Sequence, residues 1–176
     1  MHLDLMRDKQ KTMPTVDRSV DSLRVWHCGY RTLKPVGELP QLRKLVIATF
    51  PDDSLAFLSA LRNLRHLRIL HLPKVTDLAP LAELRELRSL SLSTLPSWDS
   101  SGRVTEVESL DPLGTLAALE HLELFGVVGR TRSLAAIERC RSLTSARFSK
   151  YPKEEVHRFY AATKVSDAHV PEPDAG

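Results

Sequence analysis

No apolar run in these 176 residues approaches the ~18 needed to cross a bilayer, so no membrane association is expected. The opening stretch, Met1 to Lys9, contains Asp4 and Asp8 and no long apolar core, which is not the pattern of a secretory signal. A cytoplasmic location is the expectation that follows. There is no glycine-rich phosphate loop, no Cys or His pair at zinc spacing, and no two of the seven histidines stand four residues apart. No cofactor, metal or catalytic residue is therefore expected. Net charge is only +3, too little to announce a polyanion partner by itself. It is spread unevenly: residues 1–90 hold 15 Lys/Arg against 10 Asp/Glu, and residues 91–176 hold 10 against 12, so charge should vary along the molecule.

What the chain does have is leucine at a fixed step. Leu78, Leu81, Leu84, Leu87 and Leu90 follow one another every three residues, and the step then drops to two at Leu92. On an α-helix a step of three turns the stripe back by roughly 60° each time, so five such leucines could not share one face. A 3₁₀-like turn, in which i and i+3 eclipse, accepts the step of three, and a strand accepts the step of two. The unit reads as a short turn, a bend and a short strand.

The same apolar pattern of three, three and two recurs. It is found as Val20, Leu23, Trp26, Cys28; as Leu39, Leu42, Leu45, Ile47; and as Leu64, Leu67, Leu70, Leu72. It continues as Leu84, Leu87, Leu90, Leu92; Leu116, Leu119, Leu122, Leu124; and Cys140, Leu143, Ala146, Phe148. A repeated unit that cannot bury its apolar side alone must stack on its neighbours. Leu67-x-x-Leu70-x-Leu72 and its equivalents resemble the leucine-rich repeat. The segments Thr76-Asp77-Leu78-Ala79-Pro80-Leu81 and Ser109-Leu110-Asp111-Pro112-Leu113 resemble its short, internalin-like class. The resemblance implies an α/β solenoid with about six parallel strands on the concave face and short helices or 3₁₀ turns on the convex face. It also implies a scaffold for binding proteins.

The chain departs from that family in two respects. Successive final apolar positions lie 19, 25, 20, 32 and 24 residues apart, an irregular array. Three residues after that position the family usually carries an Asn that hydrogen-bonds the adjacent turn. Here Phe50, Val75, Leu95, Val127 and Tyr151 stand there, so packing alone is expected to hold those turns and the curvature is expected to be looser.

A single domain is expected over residues 1–165. It comprises an N-terminal cap (1–19), the repeats (20–150) and a C-terminal capping helix (151–165), followed by a disordered tail (166–176). His2 to Met6 alternates and suits an extra strand, with Met13, Val16 and Val20 continuing the cover. Val156, Phe159, Tyr160 and Thr163 form one helical stripe. Between strands, Leu55–Asn63 and Leu134–Cys140 read as short α-helices after N-capping residues. The units with Pro35, Pro80 and Pro112 read as single turns.

Cys28 and Cys140 fall on core positions at opposite ends of the stack, about ~24 Å apart at the usual strand spacing. A disulfide is therefore excluded, and both read as buried thiols. On the concave face the pattern gives two outward columns. One is Val25, Lys44, Ile69, Ser89, His121, Ser145, and the other is His27, Val46, His71, Ser91, Glu123, Arg147. A neighbouring column, Arg24, Arg43, Arg68, Arg88, Glu120, Thr144, carries four arginines in successive strands. Those arginines read first as solvated rim residues whose stems cover the core edge. Their alternative role is a strip for carboxylates or phosphates. His71, His121 and Glu123 lie too far apart for an acid–base site. The fifth unit carries an insertion within 95–108, and Trp98 in it is either a partner-binding side chain or one folded back on the stack edge. The expected function is binding of a protein partner by the concave face and the 95–108 loop, with action as an inhibitor or neutralising partner as one form of it, by a monomer or weak oligomer without enzymatic activity. The alternative is polyanion or nucleic-acid binding through the arginines.

Overall fold

The computed structural model describes residues 1–171, and among these the chain repeats a succession of strand, turn and return. Seven five-residue strands line one side: β1 (His2–Met6), β2 (Ser22–Trp26), β3 (Lys44–Ala48), β4 (His66–Leu70), β5 (Ser89–Ser93), β7 (His121–Phe125) and β9 (Ser145–Ser149). They pair in parallel in that order. Between β5 and β7 the insertion contributes a helical turn, α1 (Pro96–Ser100), and a short strand, β6 (Thr105–Val107). Strand β6 pairs in parallel with β8 (Val127–Gly129), forming a small second sheet beside the first. The expected architecture of parallel strands and short turns is the one found, with β1 as the extra N-terminal strand.

The step of three has a direct cause on the convex side. Leu81 donates its N–H to Leu78, Leu84 to Leu81, and Leu87 to Leu84, each at 3.0 Å. These are 3₁₀ bonds, so every third residue eclipses its predecessor and points to the same interior. Equivalent ladders run through Leu55, Leu58, Leu61, Leu64 and through Leu110, Leu113, Leu116, Leu119. The convex turns are Lys34–Glu38, Ala56–Ala60, Ala79–Glu83, Leu113–Thr115 and Ile137–Arg139. The α-helices expected over 55–63 and 134–140 are thus 3₁₀ turns like the others. Helix propensity at Leu55–Asn63 yields to the leucine ladder, which an α-helix would rotate off the core.

The strand register corrects the sequence reading in the first and third units. Leu23, Leu45, Leu67, Leu90, Leu122 and Ala146 pair laterally in one row, and Val25, Ile47, Ile69, Leu92, Leu124 and Phe148 in the next. The second row is spaced by 22, 22, 23, 32 and 24 residues, so the array is regular apart from the insertion, which adds nine residues relative to the unit before it. Leu61, Leu64, Leu67 and Leu70 are themselves three apart, and the pattern fits that unit one step later as well. What decides the register is the burial of Ile69, which is 0% exposed, whereas Leu70 is half-exposed.

A backbone signature marks the same register. Arg7, His27, Thr49, His71 and Lys150 have φ of 51°, 51°, 68°, 65° and 67°, and Gly126 has 69°. Each stands two residues after the second core position of its strand. Left-handed conformations cost a non-glycine residue about 1–2 kcal/mol. Here His71, for example, donates its N–H to the Ser93 carbonyl at 2.7 Å, extending the ladder past the end of the strand. At Gly126 a side chain would also collide, because an added Cβ would lie 2.3 Å from Thr94 Oγ1.

One residue further on stands the position where the Asn is missing. With the register corrected it holds Cys28, Phe50, Leu72, Leu95, Val127 and Tyr151. Packing alone does not hold every turn: the Cys28 thiol donates to the Leu5 carbonyl at 3.3 Å. Tyr151 Oη donates to Val127 O at 3.1 Å and accepts from Gly129 N at 3.4 Å. Cys28 is accordingly half-buried at a turn and not on a strand core position. Cys140 is buried, donates to Leu113 O at 3.2 Å, and its thiol is pushed up to about 11 by burial.

The C-terminal cap is helix α2 (Lys153–Thr163), whose Phe159 is fully buried. Glu155 ties it to the last turn, accepting from Leu134 N at 2.6 Å. Paired with Arg158 as well, its carboxyl drops to about 2. The tail was expected to be disordered from 166. Instead Ser166 bridges Ser145 in parallel fashion and donates to Thr144 O at 3.0 Å, because the last strand otherwise leaves its backbone unpaired. Residues 172–176 lie outside the described residues.

The register carries a direct test. Leu67→Ala is expected to cost about 2–5 kcal/mol in unfolding free energy by urea titration, and Leu70→Ala less than about 1 kcal/mol. Equal losses would refute the assignment.

Candidate functional site

Because side chains alternate along a strand, the residues between and beside the two core rows point outward. Three outward rows result. The first is His2, Ser22, Lys44, His66, Ser89, His121, Ser145; the second is Asp4, Arg24, Val46, Arg68, Ser91, Glu123, Arg147. The third is Met6, Trp26, Ala48, Leu70, Ser93, Phe125, Ser149.

Most of the residues expected on this face are here: Arg24, Lys44, Val46, Arg68, Ser89, Ser91, His121, Glu123 and Arg147. Val25 and Ile69 are not. They are 3% and 0% exposed and belong to the core, as the three-residue slip in their units requires. His27 and His71 lie past the strand ends in the left-handed turns, away from the strand rows. The column of four arginines is also divided. Arg24 and Arg68 sit in the second outward row. Arg43 and Arg88 occupy the position before the strands, where backbone bonds link Arg43, Arg65, Arg88, Glu120 and Thr144 in succession. Arg65, which the slip hid, completes that rim ladder of three, and all three arginines are exposed.

Charges at the two ends of the face are mutually satisfied. Arg24 Nε donates to Asp4 Oδ1 at 2.8 Å, holding that carboxyl below its ordinary range, and its guanidinium lies 6.0 Å from the centre of the Trp26 ring. Toward the other end, Glu123 accepts from Ser91 Oγ at 3.0 Å and from Arg147 at 3.1 Å, with His169 Nδ1 at 3.5 Å. His121 Nδ1 lies 3.0 Å from Ser145 Oγ. Among the described residues no group of three or more His, Cys, Asp or Glu could hold a metal ion.

The middle of the face differs. A cleft lies over β3, β4, β5 and β7, floored by Lys44, Val46, His66, Arg68 and Ser91 and walled by the tail residues Ala168, His169 and Val170. His66 is held below its ordinary 6.5, first by burial and then by the charges of Lys44, Arg88, His121 and Arg65, and its Nδ1 has no hydrogen-bond partner among the described residues. His71 is lowered by burial alone.

Trp98, in α1, folds back and is half-buried. Its ring meets His71 edge-on at 4.9 Å, and the Arg103 guanidinium lies 6.0 Å from its centre. The insertion is therefore pinned to the ends of the strands, beside the third row.

Comparison with known proteins bears on the fold. Internalin C2 from Listeria monocytogenes 4b F2365 superposes with a TM-score of 0.55 at 21% identity, covering 75% of this chain and 53% of that one. An internalin (inlF) of the same strain gives 0.49 at 18% identity, covering 86% and 49%. The chain thus spans about half the length of each, and at this identity the likeness shows a leucine-rich-repeat fold of internalin type. No protein-family profile and no curated protein sequence matches it.

Two measurements follow. The fold favours neutral rings at His66 and His71, so their contribution is complete above pH 6.5 and is lost as pH falls from 6.5 through the lowered native values. Urea midpoints are expected to drop over that window, and the double variant His66→Gln/His71→Gln to flatten the drop; an unchanged drop would dismiss the assignment. Separately, a double-mutant cycle between His71→Ala and Trp98→Ala is expected to return a coupling of about 0.5–1.5 kcal/mol in stability. Zero coupling would mean that the Trp98 ring does not rest on His71.

Proposed function

We propose that this chain is a protein-binding module, acting in the cytoplasm, that engages its partner through the concave strand face and the neighbouring 95–108 segment, and that binding rather than catalysis is its activity. The observation that carries the reading is the third outward row. Met6 is 50% exposed and Trp26, Leu70 and Phe125 are half-buried, although the core of the molecule lies on the opposite face of the same sheet. Apolar and aromatic side chains aligned on a rigid, outward-facing sheet, next to polar ones, are the composition of the centre of an interface. Trp98, pinned beside this row by His71, would extend it. The strands hold these groups in place before any partner arrives, so little ordering cost remains to be met on binding. A small module of this kind would act by covering a partner's surface, as an inhibitor or neutralising partner does. The free thiols of Cys28 and Cys140 accord with a reducing compartment.

The test is capture from the source cell with wild type, with Leu70→Asp on the concave face, and with Ser59→Arg on the convex side. Leu70→Asp is expected to weaken capture of a defined partner by roughly tenfold or more, and Ser59→Arg to leave it unchanged. The reading fails if both variants capture the same partner as well as wild type, or if the convex change alone abolishes capture.

A further inference from the structure

The rows on either side of the cleft differ in chemistry, and this names the kind of partner. On the side where the strands begin stand Arg43, Arg65 and Arg88, side by side on neighbouring strands and so about 4.8 Å apart in backbone spacing. Just inside them His66 feels the positive charges of Lys44, Arg65 and Arg88. Among the described residues neither Arg43 nor Arg65 forms a salt bridge, while Arg88 reaches Glu120 at 3.3 Å. Where the strands end stand Trp26, Leu70 and Phe125, with only a few strand residues between the two sides.

We propose that the concave cleft receives an acidic, amphipathic segment of a protein partner, its carboxylates on the Arg43–Arg65–Arg88 rim and its apolar side chains on the Trp26–Leu70–Phe125 row. This rests on the protein-binding reading above. An extended segment laid across the strands directs successive side chains to opposite sides, so alternating acidic and apolar residues would meet the two rows at once. The seven-strand face is about 29 Å wide at the usual strand spacing, the length of about nine extended residues, with tail residues 168–170 lying along its β7 and β9 side. Guanidinium groups in a row match carboxylates bidentately. A nucleic acid would use the same cations, but Leu70 gives it no stacking surface, and the Trp26 and Phe125 rings already carry the Arg24 and Arg147 guanidiniums at 6.0 and 5.2 Å.

The experiment uses fluorescence polarisation with four probes of equal length: an alternating Glu/Leu peptide of about nine residues, its Gln/Leu counterpart, an all-Glu peptide and an oligothymidylate. The Glu/Leu peptide is expected to bind most tightly, with the Gln/Leu and all-Glu peptides each weaker by roughly tenfold. Arg65→Glu should reduce binding of the Glu/Leu probe by a similar factor while leaving the Gln/Leu probe unaffected. Leu70→Asp should weaken both. Circular dichroism melts of the two exposed-site variants confirm folding. Equal binding of the Glu/Leu and Gln/Leu peptides, tighter binding of the oligothymidylate, indifference to Arg65→Glu, or no binding of any probe would each overturn the proposal. The underlying reading is judged separately. If the captured partner is lost with Leu70→Asp but held by Arg65→Glu, protein binding stands and the acidic partner falls.

Discussion

The hydrogen bond from each convex leucine to the leucine three residues before it sets the geometry of every coil. It forces successive side chains into one eclipsed column and keeps the return segment thin. A 3₁₀ turn lets neighbouring turns approach closely: an added Cβ at Gly114 would lie 2.4 Å from the Ala136 carbonyl of the next turn. The buried residues of these turns, Val36, Leu58, Leu81, Leu113 and Ile137, follow the same intervals as the strands from β3 onward. Turn and strand are therefore locked in one register, and a slip in either would move leucines out of the core. Each buried leucine stabilises by about 1.5–3 kcal/mol, which makes any slipped arrangement of a whole unit untenable.

That constraint was legible in the sequence, because no α-helix keeps a step of three on one face and a 3₁₀ turn does. The register was legible only where the step of three ends unambiguously, as at Leu90 and Leu92. In the third unit, Leu61 to Leu70 keeps the step for too long, and Leu70 and Leu72 offer a second, equally good ending. Ile69 decides the matter through its lateral neighbours Ile47 and Leu92, which are distant in sequence. The first unit slipped for a similar reason, since Trp26 and Cys28 are apolar enough to pass for core. The consequence for the candidate site was larger than for the fold. A slip by three exchanges inward and outward positions, sending Val25 and Ile69 to the surface on paper and hiding Arg65. The left-handed residue immediately after β1, β2, β3, β4, β7 and β9 offers a local check, yet Arg, His, Thr and Lys at that place do not announce themselves as glycine would.

The missing Asn and the insertion show how the repeat tolerates variation. The turn after each strand needs a donor for carbonyls left by the neighbouring coil. At two places a different group supplies it: the thiol of Cys28 and the phenol of Tyr151. Elsewhere Phe50, Leu72 and Val127 fill the space and backbone amides do the bonding. The insertion is handled in the same way. Its β6 pairs with β8, so its backbone groups have partners, and Trp98 anchors the remainder on His71. Nothing in its polar, turn-rich sequence revealed the strand, because three residues are too few to show a period.

Stability and recognition are separated on this sheet by a single alternation of side chains. The two core rows use Leu, Ile and Val throughout, apart from Ala146 and Phe148 at the last strand, and have little freedom. The outward rows vary widely, from Asp4 to Glu123 to Arg147 in one row alone, and nothing in the fold constrains their sign. The excess of cations in the first half of the chain is concentrated where β3, β4 and β5 lie side by side. Among the described residues the acids of the second half reach this face as Glu120 and Glu123, each already engaged by an arginine. A coil that merely needed solubility would intersperse the two signs. Here Arg24 pairs with Asp4 at one end and Arg147 with Glu123 toward the other, while the exposed Arg43 and Arg65 stand across the strands from a row of apolar side chains. Polarity across the strands thus adds to polarity along them, and together they define a direction in which an incoming segment would have to lie.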